Sequence, residues 1–168
     1  MDSTELMPKK IDIPALPSVV GTMYPSPFDG PCRARERKKL GDAAGLTQFG
    51  VNLLTLHPGS WSSQRHWHTG SDEFVYVIKG EVTLVTNGGR EVLVAGDAAG
   101  FVAGDENGHC FQNHTGEAAL LLEVGTRVDS DAAYYPDIDL VAPAGAEPAL
   151  FTRRDGTPYT NIKRRGPE

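Results

Sequence analysis

Residues 66–80 read HWHTGSDEFVYVIKG. Successive side chains of a β-strand point to opposite faces, so His66 and His68 are expected on the same face of a strand. After a short turn-forming segment, Glu73 precedes the alternating apolar run from Phe74 to Ile78, which predicts a second strand. The turn brings the Glu73 carboxylate back beside the two imidazoles. This stretch therefore predicts two strands and a cluster of groups that bind metals.

A third histidine extends the cluster, because His109 follows a Gly-rich turn and opens another predicted strand. A lone histidine is more often a surface or core group, and His57 and His114, each next to a turn, are predicted to lie in loops. A pair on one strand, with a glutamate and a further histidine, instead favours a bound metal. The predicted ligands are His66, His68, Glu73 and His109. Their donor atoms suit Zn, Fe, Mn, Ni or Co and do not choose among these metals.

Length and composition restrict the possible partners. The 168 residues suit one domain with appended arms. Lysine and arginine number 16 against 22 aspartate and glutamate, and the net charge of −6 argues against nucleic acid or an anionic membrane as a partner. No basic leader and no run of about 18 apolar residues occurs, so we expect a cytoplasmic protein. Cys32 and Cys110 lie far apart, and we expect Cys110 to be a small buried hydrophobe.

Short strands between Gly-rich turns fill the middle of the chain. The predicted strands are Leu46 to Leu56, Ser62 to His68, Phe74 to Ile78, Glu81 to Thr86, Glu91 to Val94, Ala99 to Val102, His109 to Asn113 and Ala118 to Val124. Asn87-Gly88-Gly89, between two of them, is a strong hairpin signal. Because no long amphipathic helix occurs, the pattern predicts an all-β sandwich or barrel over residues 46–127.

Both ends differ from this central region. Residues 1–45 hold five prolines between Pro8 and Pro27, which predict an extended arm that packs on the barrel or on a partner subunit. Residues 128–168 are predicted to form an irregular extension, with a loop at Tyr134 to Asp137 and a linker from Pro143 to Pro148.

A basic run lies at the end of the arm, and its residues are Arg33, Arg35, Arg37, Lys38 and Lys39. Such a run is most simply a solvated edge. The other interpretation is that it lines the approach of an anionic ligand. Both interpretations stay open from the sequence alone.

The spacing of glycines, histidines and acidic residues resembles two sequence motifs of a known family. The residues of the first are Gly59, His66-Trp67-His68, Glu73 and Gly80, and those of the second are Gly96-Asp97, Gly104, His109 and Asn113. They resemble the two motifs of the cupin superfamily, over residues 46–125. The resemblance implies a jelly-roll barrel with an extended N-terminal arm and an irregular C-terminal tail, and a divalent metal bound by the matching histidines and glutamate. The chain is also similar to small single-domain bacterial cupins described as sugar-phosphate-isomerase-like.

Strand alternation predicts which side chains line the interior, and these are Ser62, Gln64, Val75, Val77, Phe111 and Asn113. This lining is apolar with a few neutral polar groups and contains no fixed cation. A phosphate is costly to bury without Arg or Lys. The lining therefore disfavours a phosphorylated substrate, unless Arg33, Arg35, Arg153 or Arg154 folds over the mouth of the site.

Two classes of function fit these features. The first is a metal-dependent isomerase, lyase or dioxygenase acting on a small polar organic molecule, with Tyr24, Gln64 and Glu106 as candidates for proton transfer. The second is a noncatalytic sensor or binding module. A purely structural metal is disfavoured, because such sites are usually closed by Cys and His. The Pro-rich arm suggests an exchange of strands between two subunits, and we expect a homodimer.

Overall fold

The structure is a computed structural model that describes residues 9–146 and 149–167. Pro8 in the predicted arm and Pro148 in the predicted linker lie outside the described residues. The strands are, in chain order, β1 (Val19–Val20), β2 (Glu36–Lys39), β3 (Phe49–Leu56), β4 (Trp67–His68), β5 (Glu73–Lys79), β6 (Glu81–Thr86), β7 (Gly89–Val94), β8 (Ala98–Phe101), β9 (Cys110–Gln112), β10 (Ala119–Thr126), β11 (Ala133–Tyr135) and β12 (Leu140–Ala142). Helical structure is limited to α1 (Leu40–Ala43) and two 3₁₀ turns, Gly30–Cys32 and Ala144–Ala146, among the described residues.

The strands form antiparallel sheets. The largest has six strands in the order β1-β2-β3-β10-β5-β8, and two smaller sheets have the orders β7-β6-β9 and β12-β11-β4. The all-β prediction is therefore confirmed. Nowhere in the described ranges does a helix have the length and apolar character needed to cross a membrane.

The main core contains apolar side chains from the six-stranded sheet and from β7-β6-β9. Val77 of β5 and Leu121 of β10 are fully buried, and Val82 of β6 and Phe111 of β9 belong to the same cluster. On β5 the buried positions alternate with exposed ones, as the sequence pattern predicts. Burial of one face of each sheet is the main source of stability in such an architecture.

Two turns fit their predicted chemistry. Asn87 and Gly88 join β6 to β7, with Thr86 opposite Gly89, so the predicted hairpin is confirmed. Gly80 takes the chain from β5 in one sheet to β6 in another with a φ of +82°. A Cβ atom there would lie 3.0 Å from Ala119 Cα, so both the backbone angle and the close approach require glycine.

Two predicted elements are wrong. The strand predicted over Ser62 to His68 is reduced to β4, because the residues before it bend, and Ser62 N–H donates to Phe111 O at 2.8 Å. The loop predicted at Tyr134 is instead part of β11, which pairs with β4 on one side and β12 on the other. The C-terminal extension therefore adds strands beside the histidine pair.

The described part of the arm adds strands to the large sheet of its own chain. β2 pairs with β3, with Arg37 opposite Leu54. A second buried cluster then joins the arm to the C-terminal extension, with Tyr24 and Cys32 from the arm packed against Tyr135, Leu140 and Phe151. The described parts of the arm and of the C-terminal extension thus meet on one side of the molecule.

Candidate metal centre

Local backbone pairing places the three histidines and the glutamate together. His66 and His109 form an antiparallel bridge, in which His66 N–H donates to His109 O at 3.1 Å and His109 N–H donates to His66 O at 2.8 Å. His68 lies two residues further along, on β4, and Glu73 begins β5. Segments that are distant in the sequence thus present their side chains to one point.

The donor atoms converge on one carboxylate oxygen. Glu73 Oε2 lies 3.0 Å from His109 Nε2, 3.6 Å from His68 Nε2 and 3.7 Å from His66 Nε2. Ligands about 2.1 Å from one metal are separated by about 3.0 to 3.5 Å in octahedral or tetrahedral geometry. Donor atoms of His66, His68 and Glu73 all lie within 4.8 Å of one another, and His109 contacts Glu73.

Hydrogen bonds at the far side of two rings fix their tautomers. His68 Nδ1 lies 2.6 Å from Asp131 Oδ2, and His66 Nδ1 lies 2.9 Å from the carbonyl oxygen of Gln64. Both oxygens are acceptors, so each neutral ring carries its proton on Nδ1 and presents a lone pair at Nε2.

These lone pairs face a negative charge without a donor between them. Glu73 Oε2 is buried and has no hydrogen-bond partner in the described part of the chain, although His109 Nε2 lies 3.0 Å away, and the buried His109 Nδ1 has no partner there either. Several acceptors around one point repel each other unless a cation lies among them. The residues therefore fit a divalent metal ion.

The protonation states suit metal binding. Burial lowers the pKa of His66 to about 4, so this ring is neutral at pH 7. Burial alone would raise the pKa of Glu73, but contact with His109 and the nearby His66 and His68 outweigh it and bring that pKa to about 2. His109 is packed flat on Phe101, with ring centroids 3.4 Å apart, which fixes its orientation.

A cavity of about 540 Å³ opens beside this cluster. His66, Glu73 and His109 lie in its wall, together with Ser62, Ser63, Val75, Phe111, Tyr24, Tyr135, Arg35 and Arg37. The expectation of a lining without fixed cations is wrong, because Arg35, directly before β2, and Arg37, on β2, line the same cavity as Glu73. For Arg35 and Arg37, the interpretation as a solvated edge is also wrong.

The comparisons agree with this architecture. A family model described as a cupin domain matches residues 52–125. The chain is similar to a sugar phosphate isomerase of the cupin superfamily from Silicibacter pomeroyi, whose crystal structure is known. The two are 44% identical in sequence, with a TM-score of 0.85, and the match covers 92% of this chain and 99% of that one. The chain belongs to the cupin superfamily.

More distant structures resemble this cupin as well. A candidate sugar phosphate isomerase from Acidithiobacillus ferrooxidans is 28% identical over 76% of this chain and 81% of that one, with a TM-score of 0.68. A polyketide cyclase from Streptomyces resistomycificus is 20% identical over 71% of this chain and 80% of that one, with a TM-score of 0.57, and shares the fold. The comparison with curated proteins gave no match.

The three candidates for proton transfer lie in different places in the cupin. Tyr24 lines the cavity. Gln64 does not, because its amide nitrogen donates to the carbonyl oxygen of Phe28 at 2.7 Å. Glu106 is exposed in the loop before His109. The structure therefore brings only Tyr24 of this set to the cavity.

The remaining residues with open interpretations lie away from the centre. His57 pairs with Glu36 at 2.6 Å, and His114 contacts Gln112 at 2.9 Å. Arg154 donates to carbonyl oxygens of the C-terminal extension, including Pro136 O at 2.8 Å. Arg33 pairs with Asp29 and Arg153 packs over Tyr159, and neither is part of the cavity wall.

Sequence reasoning missed several residues of the site. The two-residue spacing of Arg35 and Arg37 is a usable signal, because side chains two residues apart share a face where the backbone is extended, and Arg35 directly precedes β2. Tyr135 stacks on His66 with ring centroids 5.7 Å apart, and Asp131 bonds His68. No local pattern indicates these two, since both come from the extension predicted to be irregular.

Proposed function

We propose that this cupin is a metal-dependent enzyme that acts on a small polar organic molecule. His66, His68, Glu73 and His109 hold the divalent ion in this proposal. The observation that carries it is the buried oxygen Glu73 Oε2, which has no donor partner among the described residues and is surrounded by three imidazole nitrogens. The proposed overall shape is a jelly-roll barrel, with the arm and the C-terminal extension closing one side of the site.

The reaction chemistry is divided between the ion and the chain. A divalent ion at this position supplies Lewis-acid polarisation of a substrate oxygen. Burial raises the pKa of both Tyr24 and Tyr135, so both are neutral phenols at pH 7. A neutral phenol in the cavity wall donates a hydrogen bond to a substrate oxygen, and Tyr24 is the proposed residue for proton transfer.

The relatives favour one reaction class among isomerase, lyase and dioxygenase. The Silicibacter pomeroyi protein, 44% identical over 92% of this chain, is named a sugar phosphate isomerase. We take isomerisation of a sugar phosphate as the leading reaction. The arginines of the cavity support it, since they remove the objection that a phosphate would be buried without a cation.

A noncatalytic binding protein is the second candidate. It is favoured by the positions of Gln64 and Glu106 outside the cavity wall, which leave few groups for proton transfer among the described lining residues. Turnover separates the two candidates. A binding protein would retain a ligand in the cavity and release it unchanged.

The test begins with metal content. Purified protein is expected to carry about one equivalent of divalent metal, and His109→Ala is expected to lose most of it, whereas His57→Ala on the surface retains it. Activity is then measured against sugar phosphates, sugars, hydroxy acids and diketones, with and without a chelator. Activity that survives complete metal removal would refute the proposal.

A homodimer and a cytoplasmic location complete the proposal. The outward positions of β5 support the dimer, because Phe74, Tyr76 and Ile78 are 45%, 39% and 42% exposed. The cytoplasmic location stays a prediction from the sequence.

A further inference from the structure

Arg35 is a cation of the cavity wall without a carboxylate partner among the described residues. Its Nε donates to Gly21 O at 3.3 Å, Nη2 donates to Thr22 Oγ1 at 3.2 Å, and Nη1 donates to Ser62 O. All three acceptors are neutral. A guanidinium has five N–H groups, so donors remain for a ligand. Its charge is unbalanced, and burial lowers its pKa accordingly.

The neighbouring Arg37 shows the contrast. Its Nε and Nη2 donate to the two oxygens of Glu123 at 2.7 and 2.9 Å, a bidentate ion pair. Both arginines line the same cavity. One of the two charges is neutralised by the protein, and the other is not.

The rest of the cavity wall does not supply the missing negative charge. Lys39 and Arg127 both pair with Asp42, and Arg164 donates to the carbonyl oxygens of Val20 and Gly21. The lining cations are Arg35, Arg37, Lys39, Arg127 and Arg164, and the lining carboxylates are Asp42, Glu73 and Glu123. Glu73 belongs to the proposed metal centre. A surplus of positive charge thus faces the cavity in a chain whose net charge is −6.

Short contacts connect Arg35 to the metal centre. The guanidinium lies 5.6 Å from the centre of the Tyr24 ring, and the ring centroids are 5.6 Å apart for Tyr24 and Tyr135 and 5.7 Å apart for Tyr135 and His66. On the backbone side, Ser62 O accepts from Arg35, and Ser63 Oγ lies 3.3 Å from His66 Nδ1. One small molecule in a 540 Å³ cavity is able to contact both Arg35 and the metal centre.

We propose that Arg35 binds the anionic group of the substrate, a phosphate or a carboxylate, while other oxygens of the same molecule face the metal centre. A buried charge is stabilised when a charged ligand supplies the missing counterion, and a planar guanidinium matches the geometry of either group. This inference rests on the proposed function for the identity of the second anchor. Arg35 is then the residue that selects anionic over neutral substrates.

Binding of inorganic phosphate and of acetate tests the proposal, measured by isothermal titration calorimetry at constant ionic strength, with zinc-loaded and with metal-free protein. We expect at least one of these anions to bind wild-type protein, and Arg35→Gln to weaken that binding by roughly tenfold or more, the loss typical of a charged hydrogen bond. Arg90→Gln, at an exposed arginine outside the cavity, is the matched control and is expected to bind as wild type. Preference for phosphate or for acetate identifies the anionic group.

A folding defect in Arg35→Gln is checked by thermal unfolding. If that variant does not fold, Arg35→Lys replaces it in the experiment. Lysine keeps the positive charge but lacks the planar guanidinium with its paired N–H donors, so Arg35→Lys is also expected to bind the anion more weakly than wild type. Wild-type protein that binds neither anion, or a folded Arg35 variant with unchanged binding, overturns the proposal. Failure of the proposed function is distinguishable, because it appears as a lack of zinc uptake while anion binding to metal-free protein persists.

Discussion

At the scale of the single residue, the proposed metal centre depends on where each imidazole proton lies. Asp131 accepts from His68 Nδ1 at 2.6 Å and also accepts from Gly70 N–H at 2.7 Å. The backbone contact fixes the carboxylate, and the carboxylate fixes the ring. The His68 lone pair is therefore directed at Glu73 before any metal arrives, which lowers the entropic cost of binding one.

Asp131→Asn is expected to weaken metal binding about 10- to 100-fold, because the amide keeps the shape of the carboxylate but loses the charge that strengthens His68 as a ligand. Affinity is measured by competition with a coloured chelator. Asp137→Asn, which removes a carboxylate paired with Arg65 on the surface, is the control and should bind metal as wild type does. Equal affinity in Asp131→Asn and wild type would show that this carboxylate does not support the ligand.

The stability of the metal-free protein is expected to fall as the pH is lowered, because of His66. Burial lowers the pKa of His66 from its ordinary value of 6.5 to about 4 in the folded chain, so the unfolded chain binds a proton first. The contribution of His66 to the free energy of unfolding is therefore fully present above pH 6.5 and is lost as the pH falls towards 4. The loss is on the order of 2 kcal/mol at pH 5. The Glu73 pKa, lowered from 4.5, acts in the same direction only at lower pH.

Urea unfolding of metal-free protein between pH 5 and 8 measures this slope. His66→Ala is expected to flatten the pH dependence between pH 5 and 6.5, since the titrating ring is gone. The same slope in the variant and in the wild type would assign the effect to another group.

At the scale of the element, the sequence predicts the central strands because alternation and turn chemistry are local. β5 alternates buried and exposed residues, and Asn87-Gly88 sets the β6–β7 hairpin, so both are legible in a few residues. β2 is not predicted, because its four consecutive polar residues are also typical of a solvated edge. Arg37 can lie in the interior because it pairs with Glu123, which is 86 residues away in the sequence, and no local pattern shows such a partner.

The candidate site follows the same division. His66, His68 and Glu73 lie within eight consecutive residues, on or next to two strands joined by a short turn, so their proximity is predictable from strand geometry. Asp131 comes from a segment 63 residues after His68, and it enters only because β11 pairs with β4. The structure of that extension depends on packing against the arm, which is a tertiary effect.

The Arg37–Glu123 pair is expected to hold β2 to the sheet. The side chains are 24% and 19% exposed, so Arg37→Met leaves a largely buried carboxylate unpaired, and such a loss costs about 3 to 5 kcal/mol in the free energy of unfolding. Lys39→Met is the control on the same strand, since Lys39 and Asp42 are 55% and 42% exposed, and it should change stability little. Urea unfolding measures both variants.

A double variant separates the charge from the packing. Arg37→Met with Glu123→Leu is expected to recover most of the stability, because no charge is then left unpaired. A double variant as unstable as Arg37→Met alone would mean that the arginine stabilises the protein by another contact, such as its bond to Ser62 O at 3.2 Å.

At the scale of the whole molecule, the two faces of the large sheet differ in what they contact, since the inner face bears both the apolar core, with Val77 and Leu121, and part of the cavity wall. The inner face carries Glu73, Arg37 and Glu123 into the cavity, where polar groups concentrate. The outer face of β5 carries Phe74, Tyr76 and Ile78, and Tyr76 lies opposite Leu122 on β10. The net charge of −6 favours solubility, whereas an exposed apolar face lowers it. Burial of this face against a second copy is therefore its simplest use.

The expected homodimer makes a specific prediction at Tyr76. Tyr76→Lys places a charge in the centre of the outer face, so the variant should be a monomer at concentrations where wild type is a dimer, as measured by light scattering after size exclusion. Val94→Lys is the control, because Val94 is 47% exposed but lies on β7 in another sheet. If Val94→Lys dissociates the dimer and Tyr76→Lys does not, the interface belongs to the smaller sheet. A wild-type protein that is a monomer would contradict the homodimer itself. Because the cavity lies on the inner face, neither variant should change metal content, and a loss of metal in Tyr76→Lys would mean that dimerisation helps to form the site.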